Sequence, residues 1–197
     1  MQLHNLVKYT LSIAIITTIT ACSSGPKPDE IDLDEDLKCS KNGTPAPEWV
    51  CGNVVGDDLQ VAVGHSDYSR IGDNFMLQEA TADGQNAMQK KVYNYIIHKL
   101  ESFSRAMGGS MAKLIDAEAS SIATTISEDK KEDYKQIKFW QNEKDSSIEV
   151  LMAIQEKNIN KNVVEMVLIA IKKDAATYKE FEENDGEDKL EDLFDLD

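Results

Sequence analysis

Five side chains beyond the extreme N-terminus carry most of the latent chemistry of this 197-residue chain: Cys22, Cys39, Cys51, His65 and His98. A thiol can be acylated, paired or bound to a metal, depending on its surroundings. Cys39 and Cys51 are spaced to close a disulfide loop of about a dozen residues, which would restrain the unfolded chain by about 3 kcal/mol in the entropy model. Two rival uses compete for these thiols. They could stay free, or join His65 in a metal site, although no second histidine lies close in sequence to complete one. Neither His65 nor His98 stands in a nucleophile pattern with a serine, cysteine or acid, so both read as surface or hydrogen-bonded histidines. No residue is assigned a catalytic role on these grounds, and no cofactor motif is present.

Cys22 is placed differently. Lys8, with His4 nearby, makes a positive start; Tyr9 to Ile19 is apolar, and the small residues Thr20 and Ala21 precede the cysteine. That is the pattern of a secretory leader. Its apolar run falls short of the roughly 20 residues that a spanning helix needs, so a permanent transmembrane helix is not expected. Ile19-Thr20-Ala21-Cys22 resembles the bacterial lipobox. The resemblance implies a diacylglyceryl group on the Cys22 thiol, removal of leader residues 1–21, and acylation of the new amino group. Several acyl chains hold a protein at a bilayer where a single one gives only marginal binding. Ser23, in place of the aspartate linked to inner-membrane retention, implies transport to the outer membrane. The plainer alternative is a secreted protein with a chance cysteine near its cleavage site.

Composition narrows the partners. The net charge of −15 becomes −16 once residues 1–21, with one lysine and no acid, are removed. Nucleic acid and anionic lipid head groups are therefore excluded as partners, because they are bound by lysine and arginine clusters. Residues 22–45 read as an acidic tether, with Pro26 and Pro28 followed by Asp29, Glu30, Asp32, Asp34, Glu35 and Asp36 repelling one another into an extended form. Asn42-Gly43-Thr44 matches a glycosylation sequon and reads as a loop. One domain, residues 46–179, follows, with no internal repeat.

Within it, Pro45-Ala46-Pro47-Glu48-Trp49-Val50 approaches in extended form, and Trp49 and Val50 plug the edge of a core. Leu59, Val61 and Val63 alternate as a strand ending at Gly64. Asp73 then caps a long helix whose apolar residues Leu77, Ala80, Gly84, Met88, Val92, Tyr95 and Phe103 recur at steps near three and four. Gly108-Gly109 breaks it, and Met111, Leu114, Ile115, Ala119, Ile122 and Ile126 mark a second helix. Tyr134 to Gln141, with Ile137 and Phe139 on one face, pairs as a hairpin with Ile148, Val150, Met152 and Ile154. Trp140, Leu151 and Ala153 share the other face, which is expected to be covered by another subunit. Val163, Val167, Ile171, Ala175 and Tyr178 form a closing helix capped by Asn158 or Asn160. Residues 180–197, with ten acids and one lysine, read as a solvated, disordered tail. A divalent cation is the tail's functional rival, but the acids lack the glycine-centred spacing of a calcium loop.

The order strand, helices, strand, strand, helix, opened by Pro47-Glu48-Trp49-Val50 and centred on Phe139-Trp140-Gln141 and Ile148-Glu149-Val150-Leu151-Met152-Ala153-Ile154, resembles the Lpp-twenty family of bacterial lipoproteins over roughly Ala46 to Lys172. The resemblance implies an α+β fold in which a small antiparallel sheet packs on a long helix, similar to dodecin-like arrangements. It also implies a structural role rather than catalysis; one branch, the flagellar lipoprotein P, is linked to outer-membrane disks around the flagellar motor. Cys39, Cys51 and the acidic tail depart from the family pattern. The expectation is a non-enzymatic, lipid-anchored outer-membrane lipoprotein, on the periplasmic face or the cell surface, that self-associates or docks on envelope proteins. The alternative is a periplasmic lipoprotein binding a small ligand or a cation.

Overall fold

The computed structural model describes residues 39–52, 56 and 58–195. The leader, Cys22 and residues 23–38 of the tether lie outside the described residues. Strands β1 (Cys39–Lys41) and β2 (Thr44–Ala46) form a two-stranded antiparallel sheet, followed by a 3-10 turn at Glu48–Cys51. Next come β3 (Leu59–Ser66), α1 (Asp73–Met107), α2 (Gly109–Asp129), β4 (Lys135–Gln141), β5 (Ile148–Gln155), α3 (Glu156–Ile171), α4 (Ala175–Glu183) and α5 (Gly186–Phe194). The three longer strands pair antiparallel in the order β3-β5-β4, so the fold is α+β, with β5 central.

Alternation along β5 separates two faces. Ile148, Val150, Met152 and Ile154 turn to the helices and join the main core. The approach is closest at Gly64 and Gly84. A Cβ on Gly64 would lie 2.5 Å from Gly84 Cα and closer still to the Ala80 carbonyl oxygen; one on Gly84 would lie 2.7 Å from Met152 Cγ. These glycines let helix backbone rest on strand backbone. Further along α1 the buried residues Met76, Ala80, Gly84, Met88, Val92, Ile96 and Leu100 recur in steps of four. Each such step overshoots a full turn by roughly 40°, so the buried stripe winds around the axis. Hence one helix serves the sheet and, further along, α2 and α5. At its end Gly108 and Gly109 both have positive φ, 68° and 57°, which turns the chain back into α2.

The other face, carrying Val61, Leu151 and Ala153, is covered from within the chain. Ala46, Trp49 and Val50 of the β1-β2 segment and its 3-10 turn are buried, and that turn packs on β5. Leu151 is 0 % exposed and Ala153 4 %. A second subunit is therefore not what covers them, and only Trp140 of the expected interaction face retains partial exposure. Residues 39–45, expected to be tether, thus carry β1 and the start of β2. Ile137 also departs from expectation. A register shift between Gln136 and Lys138 makes it the extra residue of a bulge, and Phe139, opposite Val150, is left 52 % exposed.

The C-terminal segment differs most. The expected single closing helix starts earlier, at Glu156, and stops at Ile171; the Asp174 carboxylate then accepts from Thr177 N at 2.7 Å to cap α4. That hydrogen bond holds the Asp174 carboxyl below its ordinary range. Asn158 and Asn160 lie inside α3 rather than capping it. Residues 180–194 are ordered, because Phe181, Leu190 and Phe194 are buried in the main core. Asn160 Nδ2 donates to Phe194 O at 2.8 Å and Lys99 Nζ to Leu193 O at 2.6 Å, satisfying carbonyls at the end of α5. The Tyr95 hydroxyl shares its one proton between Glu156 Oε2 at 3.0 Å and Asn160 Oδ1 at 2.8 Å, and burial, then the Glu156 charge, raises its phenol well above the ordinary value.

Candidate functional site

Polar chemistry gathers where the β1-β2 cap meets the sheet. Glu149 is the second residue of β5, on the cap side; the register sets His65 of β3 beside it on one flank and Trp140 of β4 on the other. Lys41, the last residue of β1, reaches down to the same carboxylate. Glu149 Oε1 accepts from Lys41 Nζ and from His65 Nδ1, the latter at 2.8 Å. Glu149 is 1 % exposed, and among the described residues its Oε2 is buried without a hydrogen-bond partner. The other ring nitrogen of His65 faces Asp67 at 3.1 Å, and the His65 amide donates to the Asp83 carboxylate on α1 at 3.0 Å.

The cap is held at two further points. Cys39 and Cys51 are joined as a disulfide across its base, with Cα atoms 6.4 Å apart, so the expected pairing is found. With both sulfurs in that bond, the thiol-plus-His65 metal set cannot form. At the tip, Asn42 and Gly43 take φ values of 53° and 74°, the left-handed pair of a two-residue hairpin turn. This turn is fastened to the Asn142–Ser147 connection: Thr44 donates to Asn142 Oδ1 at 2.8 Å, Asn42 to Asp145 at 2.8 Å, and Lys144 to Gly43 O at 2.7 Å. Hydrogen bonds from Ser147 and Asn42 hold the Asp145 carboxyl below its ordinary range.

These contacts tie the cap to the sheet. A buried carboxylate shared by a lysine and an imidazole fixes the register of cap on sheet, and removing Lys41 leaves its charge uncompensated. Ser66, the chain neighbour of His65, turns to the opposite face and donates to Glu79 at 3.0 Å, so it is not positioned as a nucleophile for that imidazole. His98 is remote from the cluster, its side chain 80 % exposed and 3.9 Å from Glu101 one turn on. The sequence reading missed Lys41 and Glu149. Glu149 did carry a signal, as the lone acid on a strand otherwise apolar from Ile148 to Ile154, and Asn42-Gly43 is a strong hairpin signal that the sequon obscured. Cys22 lies outside the described residues. Among the described residues no helix is long and apolar enough to cross a membrane, and no cluster of three or more histidines, cysteines or acids is arranged to hold a metal ion. No protein-family model, curated protein or solved structure matches the chain.

Proposed function

We propose that this chain is a lipid-anchored, non-enzymatic lipoprotein of the bacterial outer membrane, acting as a structural or interaction module of the cell envelope in the manner of the Lpp-twenty family it resembles. The observation that carries this reading is the cysteine closing the leader, Ile19-Thr20-Ala21-Cys22. The domain's own chemistry supports it. Cys39 and Cys51 are spent on a disulfide, and Lys41 and His65 on Glu149, all in holding the cap. Contact with copies of itself or with envelope proteins would use apolar side chains still exposed, chiefly Tyr68 and Ile71, 62 % and 73 % exposed in the loop before α1.

Membrane fractionation with cross-linking of intact cells tests the proposal. The native chain is expected in the outer membrane as a cross-linked ladder, Cys22→Ala to be lost from that fraction, and Tyr68→Ser with Ile71→Ser to stay anchored with a weakened ladder. An anchored chain that never cross-links would remove the assembly part of the reading. A Cys22→Ala chain that fractionates like the native one would remove the anchor.

A further inference from the structure

Between α1 and α2 runs an open groove of about 570 Å³ with an unusual lining. The chain holds 36 acids, yet α1 has none from Gly84 to Leu100 and α2 has no charged residue from Ala119 to Ser127. The groove is lined from those stretches. Asn86, Gln89 and Asn94 present side-chain amides, Thr124 and Ser127 present hydroxyls, and Lys90 is the one charge. Tyr93 adds a half-buried ring whose hydroxyl lies 3.2 Å from Ser120 Oγ.

The three amides have no hydrogen-bond partner among the described residues. Ser127, by contrast, is buried and donates to Thr124 O at 3.1 Å. Asparagine is a poor helix former, so the exposed Asn86 and Asn94 are not there for the sake of the helix. Each amide offers a donor and an acceptor in one plane, a match for neighbouring hydroxyls on a sugar ring. Tyr93 supplies an apolar surface for the ring's C–H face. Without a carboxylate the groove does not select a cation, and one lysine is too little for a polyanion. Its size lies within the range of small-ligand sites.

We propose that this groove binds a short stretch of an uncharged glycan chain. The inference goes beyond the anchored-module reading and does not depend on Cys22, so either can fail alone. The test is to titrate the full chain, in detergent, with a linear tetramer of N-acetylglucosamine, with maltotetraose and with inorganic phosphate, following backbone NMR shifts. Saturable binding of at least one saccharide is expected, with shifts confined to residues 86–94 and 120–127 and affinity reduced about tenfold or more by Tyr93→Ala. The same loss is expected for Asn86→Ala with Asn94→Ala, which alters only exposed positions and so keeps the test valid if Tyr93→Ala fails to fold. Binding of the amino-sugar tetramer alone would assign an amide-bearing glycan; binding of both would assign the pyranose ring itself. No saturable saccharide binding, unchanged affinity in the double variant, or response to phosphate alone overturns the proposal.

Discussion

The two faces of the three-stranded sheet are closed by opposite means. On the helix side the contact is apolar and steric, with Gly64 and Gly84 allowing α1 to rest on β3 and apolar side chains filling the rest. On the cap side a short segment that could not bury enough area alone is held by a covalent bond, a buried ion pair and a tip of polar hydrogen bonds. Burial area suffices where 35 residues of helix are available; where only a hairpin and one 3-10 turn are, specific bonds replace it.

The sharpest way to break this contrast is Gly64→Ala. The added methyl meets backbone rather than a movable side chain, so a loss of about 3 kcal/mol or more is expected in chemical denaturation. Lys41→Ala attacks the other face. It leaves Glu149 buried with less compensation and is expected to cost about 3 kcal/mol, while Lys41→Met with Glu149→Leu recovers most of that loss. A double variant as unstable as Lys41→Ala would show that the ion pair is not what holds the cap. Reducing Cys39–Cys51 with a thiol is expected to cost about 2–3 kcal/mol and to open one face selectively. Amide exchange should accelerate in residues 39–52, with Trp49 fluorescence shifting to the red, while α1 keeps its protection. Uniform acceleration would mean that the two faces are one cooperative unit.

The smallest effect belongs to Tyr134 in the helix-side core. Its hydroxyl donates to Ser127 O at 2.8 Å, and burial, then the Asp133 charge, pushes its phenol up to about 12 from 10.0. The folded chain favours the neutral phenol, so this contribution is complete below pH 10.0 and is lost as pH rises through about 12. Tyr134→Phe should cost about 1 kcal/mol at neutral pH and flatten the stability profile between those values. An unchanged alkaline slope in Tyr134→Phe would assign the loss to another group.

The helix-side face was the more legible in sequence. Alternation at Ile148, Val150, Met152 and Ile154 and the steps near three and four from Leu77 to Phe103 each report a local period, and both elements form where those periods run, although Met76 and Ile96 are buried where Leu77 and Tyr95 were expected. The cap was less legible because its partners are remote: Lys41 and Glu149 are 108 residues apart, and no periodicity links them. For the same reason Leu151 and Ala153 read as an uncovered face, whereas the 3-10 turn that carries the buried Trp49 and Val50 packs on their strand. The acidic C-terminal segment was misread because composition counts charges and not positions. Leu190 and Phe194 are one turn apart, enough to seat α5 once Asn160 and Lys99 receive its last carbonyls. The groove between α1 and α2 was not read from the sequence, because its amides share a cleft with Thr124 and Ser127 only through the turn at Gly108-Gly109.

The position of the cap along the chain has a kinetic consequence. Under the anchored reading proposed above, its two cysteines, 12 residues apart, would reach an oxidising compartment together, whereas β5, the strand the cap covers, would arrive about a hundred residues later. The loop can thus be covalently closed before its landing surface exists. What docks on β5 is then a pre-tied loop rather than a free ribbon, which lowers the entropy lost in closing a contact that spans 108 residues.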